Sequence, residues 1–174
     1  MRGQLHPGAS RGRTGRRAPT LVRGAAGEHH GAMAFDVDRL LRLWTDPLPE
    51  GPAAEEAFRA VYTDPVTVNG TALSAADLVA RARALQGTFA GAQRQVLAVV
   101  EDGDRVAVAF RMGGRQVGPL STSAGTLPPT GRHVELRVVD VLTLHQGLID
   151  DIVMVADELG ALVAVDAVRL TPSA

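Results

Sequence analysis

Residues 96–112 read VLAVVEDGDRVAVAFRM, and their period decides the fold. Val106, Val108, Phe110 and Met112 fall on one side of an alternating run. Arg105, Ala107, Ala109 and Arg111 fall on the other, the period of two that marks a half-buried strand. Val96 to Glu101 supplies its partner, and the turn between them contains Asp102-Gly103, the strongest short hairpin signal in the chain. Downstream, Gly113 to Gly131 is rich in Gly, Pro, Ser and Thr and reads as a loop. His133 to Leu144 and Leu148 to Ala156 then read as two further strands joined through Gln146-Gly147. Asp157-Glu158 opens a short terminal helix through Leu162.

Upstream the period is helical. Asp36 is placed to cap a helix carrying Val37, Leu40, Leu41 and Trp44 at helical spacing. Pro47 to Pro52 breaks the chain, and Ala53 to Tyr62 reads as a second helix with Ala54, Phe58 and Val61 on one face. Pro65 to Val68 is a short extended run closed by Asn69-Gly70. Ser74 caps a third helix, with Leu78, Val79, Ala82 and Leu85 inward and Gly87 ending it. Helices first and antiparallel strands after predict an α+β domain, with three N-terminal helices packed on one face of a curved antiparallel sheet.

The whole chain has 174 residues, enough for one compact domain, and no cysteine, which excludes disulfides, zinc–thiolate sites and a cysteine nucleophile. The net charge of −1 gives no reason to expect nucleic acid, and no apolar run is long enough to span a bilayer. The balance hides an asymmetry. Residues 1–32 carry six arginines and one acid, with many glycines and no helical or strand period. They are expected to be a disordered extension, left upstream by a misplaced start, with the folded domain at 33–174 opened by Met33. With no signal peptide, the protein is expected in the cytoplasm.

No short motif specifies an activity: there is no phosphate loop, no Gly-x-Ser-x-Gly elbow and no paired-histidine metal helix. What remains is polar groups in apolar runs. Asp157 follows Ile152 to Ala156 and shares a strand face with Val153 and Val155. A carboxylate facing an apolar cavity has a raised pKa and is fit for acid/base work. An Asp opening a helix is also an N-cap, and on the residues alone the cap is the stronger reading. Asp140 interrupts Val138-Val139-Asp140-Val141-Leu142. It needs an Arg partner, solvent or a pocket, and an outward position paired with Arg111 is the stronger reading. Gln116, Tyr62 and Trp44 are candidates for ligand hydrogen bonds or pocket walls; for Trp44 and Tyr62 the core is the competing role. His133 and His145 read as surface residues.

An ordered set of short stretches then resembles one family: Tyr62-Thr63-Asp64-Pro65, Gly103 to Val108, Gly114 to Pro119 (GRQVGP), Pro129 to Arg132, Asp140-Val141, and Val155 to Gly160. The set resembles the SnoaL-like polyketide cyclases (ester cyclases) of the nuclear transport factor 2-like superfamily, over about Val37 to Leu170. The resemblance implies an α+β cone of helices on a strongly curved sheet around a pocket, and a homodimer. It implies aldol-type cyclisation of an apolar polyketide ketone or ester without metal or cofactor. It places the acid/base at Asp157, with Gln116 or Tyr62 as donor to the enolate oxygen and Trp44, Phe110 and Asp140 around the substrate. Gln116 stands where the family commonly has His, and Val153 where an aromatic is frequent. The competing expectation is a non-catalytic ligand-binding or dimerising domain of the same fold.

Overall fold

A computed structural model describes residues 20–23 and 34–169 of the chain. Strand β1 (Thr20–Arg23) is followed by helices α1 (Val37–Thr45) and α2 (Pro52–Arg59), hairpin strands β2 (Tyr62–Val68) and β3 (Thr71–Leu73), and helix α3 (Ala75–Thr88). The long strands β4 (Phe89–Asp102) and β5 (Arg105–Gln116) come next, then a small hairpin, β6 (Leu120–Thr122) and β7 (Gly125–Leu127). Strands β8 (His133–His145) and β9 (Leu148–Ala156) and helix α4 (Glu158–Ala164) complete it.

Seven strands form one sheet in the order β1-β4-β5-β8-β9-β2-β3. The consecutive pairs from β4 to β9 are antiparallel, as the alternation and turns predict. The sheet as a whole is mixed, which corrects the purely antiparallel expectation. β2 comes from α2 and lies parallel against β9, the edge that the meander leaves open, and β1 lies parallel against β4. Within residues 1–32, expected to lack any strand, Thr20–Arg23 thus forms one; the rest of that segment lies outside the described residues.

The local signals act as read. Asp36 accepts from the Arg39 amide at 2.8 Å and opens α1. Ser74 and Asp77 form a reciprocal capping box at the start of α3. Asn69 and Gly70 adopt positive φ of 47° and 80° in the β2–β3 turn, and Gln146 and Gly147 do the same at 52° and 83° between β8 and β9. Three boundaries differ. α2 stops at Arg59, so Tyr62 begins a strand instead of ending a helix. Asp64 explains the early stop: it accepts from Arg59 Nε at 2.8 Å and from the Ala75 amide at 3.1 Å, tying β2 to both α2 and α3. α3 runs through Gly87 to Thr88 and passes directly into β4. The expected loop 113–131 contains the end of β5 and the β6–β7 hairpin.

The core lies between α1, α2 and α3 and one face of the sheet. Val106, Val108, Phe110 and Met112 are all buried there, together with Leu136, Val138, Leu142 and Ile152 from β8 and β9. Cross-strand register orders that face into rows, one of which reads Val99, Val108, Asp140 and Met154. The opposite face is open, with Val139, Val153 and Val155 exposed. Among the described residues no helix is long and apolar enough to cross a membrane.

β5 lies unusually close to β8 at Gly113, where an added Cβ would stand 2.0 Å from the Val134 carbonyl oxygen. Both atoms are backbone of packed strands, so neither side can give. Gly113→Ala is expected to destabilise the fold by about 1–3 kcal/mol, the usual cost of overpacking, read as a lower midpoint in denaturant.

Candidate active site

Strand alternation decides which polar groups reach the interior. Asp140 lies on β8 between Val108 of β5 and Met154 of β9, on the face that carries the core. Arg111, its expected partner, pairs in register with Arg137 and lies on the outer face, where it bonds Gln95 and meets Glu135 at 3.4 Å. Asp140 is three residues beyond Arg137, an odd offset, so it points the other way. The outward, Arg-paired reading of Asp140 is therefore corrected. Its Oδ1 is shielded from solvent and has no hydrogen-bond partner among the described residues. Burial raises its pKa from the usual 3.8 to about 6.

Tyr62 and Trp44 form a second polar pair. The Trp44 indole Nε1–H donates to the Tyr62 hydroxyl oxygen at 2.8 Å. Phe58 stands between them in the stack, edge-on to Trp44 and nearly parallel to Tyr62, each pair with centroids 5.7 Å apart. Burial drives the Tyr62 phenol far above its ordinary range, the Trp44 hydrogen bond opposes this, and the charge of Asp140 reinforces it. Phe110 is buried in the core on the same sheet face.

Gln116 is fully buried, and its side chain is engaged locally. Its Nε2 donates to the carbonyls of Gly118, Leu127 and Pro128 at 3.2, 3.3 and 3.2 Å. Its Oε1 accepts from Thr130 Oγ1 at 2.7 Å. The amide fastens the segment carrying β6 and β7 onto the end of β5, and this packing role replaces the expected hydrogen bond to a ligand. Gln116→Ala would leave Thr130 and three carbonyls without this partner, an expected loss of about 2–4 kcal/mol in denaturant unfolding.

Asp157 is placed differently from Asp140. It shares a face with Val153 and Val155, as the alternation requires, but that face is the outer one: the two valines are 53% and 66% exposed. Its Oδ1 accepts from the Gly160 amide at 2.8 Å and caps α4, and the residue is exposed. The geometry therefore brings Trp44, Tyr62 and Asp140 to the interior and leaves Asp157 outside that group. The sequence carried the signal for Asp140, a lone acid inside a β-branched run, but not its face.

An open cleft between α1 and β4 is lined by Asp38, Leu41, Gln93, Arg94 and Val96. Arg94 is engaged there, reaching Thr45, Asp46 and Asp38 at 2.5, 2.7 and 3.4 Å. Among the described residues no three His, Asp or Glu side chains gather where they could hold a metal ion.

Asp140 also sets a pH dependence of stability. Between 3.8 and about 6 the folded chain keeps a proton that the unfolded chain releases. Stability therefore falls as pH rises through that window and stays lower above it. Asp140→Asn is expected to flatten this fall and to stabilise the protein on the order of 2 kcal/mol above pH 7, read by urea unfolding at pH 4.5 and pH 8.

A sequence model of the SnoaL-like polyketide cyclases matches residues 40–165. A search of the curated proteins found no match. Among solved structures, TsrD from Streptomyces laurentii shares 18% identity at a TM-score of 0.64, over 76% of this chain and 92% of that one. A protein from Jannaschia sp. CCS1 titled SnoaL-like polyketide cyclase shares 23% identity at a TM-score of 0.62, over 82% of this chain and 100% of that one. A SnoaL-like polyketide cyclase from Agrobacterium tumefaciens C58 shares 16% identity at a TM-score of 0.58, over 74% and 91%. At these identities the structures establish a shared fold.

Proposed function

The chain belongs to the SnoaL-like polyketide cyclase family, and from that premise we propose that it carries out cofactor-free acid/base chemistry on a small apolar ketone or ester, with Asp140 moving the proton. The reaction is the aldol type that closes a polyketide ring, and the setting is a cytoplasmic homodimer. One observation carries the reading: a carboxylate on the core face of the sheet whose Oδ1 has no partner among the described residues. A buried acceptor without a partner costs stability, and a substrate C–H or O–H presented to it removes that cost.

The chemistry follows from two groups assigned to the interior, Asp140 and Tyr62. Asp140, ionised, takes a proton from the carbon next to a substrate carbonyl. Negative charge passes to that carbonyl oxygen, where the Tyr62 O–H donates a hydrogen bond. The enolate carbon attacks a second carbonyl of the same molecule, a carbon–carbon bond forms, and the resulting alkoxide takes the proton back from Asp140. The enzyme ends as it began. A base whose pKa lies near the working pH suits this exchange, and a carboxyl at about 6 is closer to it than one at 3.8. Asp157 at the exposed cap of α4 is the position that family resemblance favours for this role, so both aspartates enter the test.

A non-catalytic ligand-binding domain is the second reading, and Gln116 favours it. The side chain at that position is an amide, which neither gives nor takes a proton, and it is held by the loop it fastens.

The experiment combines thermal shifts and α-carbon deuterium exchange over a panel of polyketide-like and steroid-like ketones. Wild type is expected to show saturable stabilisation and exchange that declines below about pH 6 as Asp140 protonates. Asp140→Asn is expected to lose about 10²–10⁴-fold in exchange, and Asp157→Asn to keep it. Loss in Asp157→Asn with retention in Asp140→Asn would return the role to Asp157. Stabilisation without exchange in any variant would establish the binding reading.

A further inference from the structure

Asp140 is paired directly across the sheet with Met154 of β9. Residues opposite each other in an antiparallel pair stand side by side on one face, with Cβ atoms about 4.5–5.5 Å apart. Around Asp140 the core face is otherwise closed. Val106, Val108 and Phe110 of β5, Val138 and Leu142 of β8 and Ile152 of β9 are all buried. Ala156, one row on, is half-buried. Met154 is 42% exposed. Asp140 itself is half-buried, although its Oδ1 is shielded. The residue is therefore open to solvent in part, and its open neighbour is Met154.

The backbone explains the opening. β2 runs beside β9 as far as Val68, opposite Ile152. At Asn69, with a φ of 47°, the chain turns away into β3. The Asn69 side chain then stands in for a further strand residue. Its Oδ1 accepts from the Met154 amide at 2.8 Å, and its Nδ2 donates to the Met154 carbonyl at 3.0 Å. Both main-chain groups of Met154 are satisfied, yet β2 supplies no residue opposite it. The backbone is held and the side chain is left uncovered. A thioether chain with three rotatable bonds adapts to apolar ligands of varied shape. The cleft between α1 and β4 does not offer the same approach. Its Val96 and Arg94 pair with Phe110 and Met112, whose buried side chains stand between that cleft and β8.

We propose that the way to Asp140 runs past Met154, so that the side chain at position 154 decides what reaches the carboxyl. This rests on the reading of Asp140 as the working base and adds the residue that selects its substrate. What passes Met154 is the apolar part of a ketone or ester beside its reacting carbon.

The first arm of the test needs no substrate. A water-soluble carbodiimide with glycinamide, in mildly acid buffer, converts the carboxyls it reaches to amides, and peptide mass spectrometry reads each site. Labelling of Asp140 is scored against Glu50, an exposed carboxyl of the same chain. Met154→Ala is expected to raise that ratio about tenfold, and Met154→Trp to lower it about tenfold. Met154→Leu, of similar size, is expected to keep it. Gln93→Trp, which narrows the cleft between α1 and β4, is expected to keep it too. Both substituted positions are exposed, and circular dichroism identifies the folded samples. Equal labelling in Met154→Ala and Met154→Trp would overturn the proposal. So would a fall in Gln93→Trp without one in Met154→Trp, which moves the route to the other cleft. The second arm follows α-carbon deuterium exchange over methyl ketones of increasing bulk. Met154→Ala is expected to move the kcat/KM preference about tenfold toward bulky ketones, and Met154→Trp toward small ones. Exchange with an unchanged preference would overturn the proposal and leave the acid/base reading of Asp140 standing. If no protein exchanges any ketone while the labelling behaves as stated, the route stands and the acid/base reading fails.

Discussion

A carboxylate pressed into a row of apolar side chains is out of place unless something answers it. Asp140 lies between Val108 and Met154, and its Oδ1 has no partner among the described residues. Nothing near it compensates: burial alone raises its pKa, and no cation opposes the shift. The position follows from register. β5, β8 and β9 pair without slippage through this region, so the alternation that buries Val106, Val108, Val138 and Leu142 also turns Asp140 inward. A shift of one residue in β8 would put Asp140 in solvent and Val139 and Val141 in the core. The fold and the raised pKa of Asp140 therefore share one determinant. The apolar neighbours that hold the register are also what makes the carboxylate basic.

Much of the architecture was legible because local signals and hydrophobic period agree. The alternation in residues 96–112 places its four apolar residues correctly, and Asp36, Ser74 and Asp157 open helices where their side chains accept the required amides. What the sequence does not carry is which face of a strand is the inside. Val153 and Val155 look like core residues and are not, because their cross-strand neighbours are Val141 and Val139 on the open face. For Asp157 the residues favour the N-cap, which the structure shows, and the cavity-facing alternative fails because the face it shares with those valines is the outer one. Asp140 was assigned to Arg111 by proximity of strands, but pairing joins Arg111 to Arg137. Both cases turn on register, a long-range property that period alone does not reveal.

Tyr62 shows a different limit. The apolar spacing of its sequence neighbours continues a helical pattern from Ala53. The stop comes from tertiary contacts. Asp64 bonds Arg59 and the Ala75 amide, and Tyr62 pairs with Ile149 of β9. That change of element matters for the site, because a strand residue beside β9 reaches the interior that Asp140 also faces. The aromatic content is low, yet Trp44, Phe58 and Tyr62 gather in one cluster, edge-on at Trp44 and stacked at Tyr62.

Gln116 makes the division of labour sharper. An imidazole at the end of β5 offers one donor and one acceptor when neutral and takes up a proton near neutral pH. A primary amide offers two donors and an acceptor and does not titrate. Here the amide uses that fuller set on three carbonyls and a threonine hydroxyl, all in the segment between β5 and β8. An amide at this position serves as a fastener and transfers no proton. Burial keeps the Tyr62 phenol neutral, so Asp140 is the titratable group on the core face that the proposed chemistry uses. A single carboxyl can both take and return a proton in an aldol cyclisation, since the two events occur in sequence on one substrate. With an amide at position 116, the proposed chemistry is of the kind that uses one base twice.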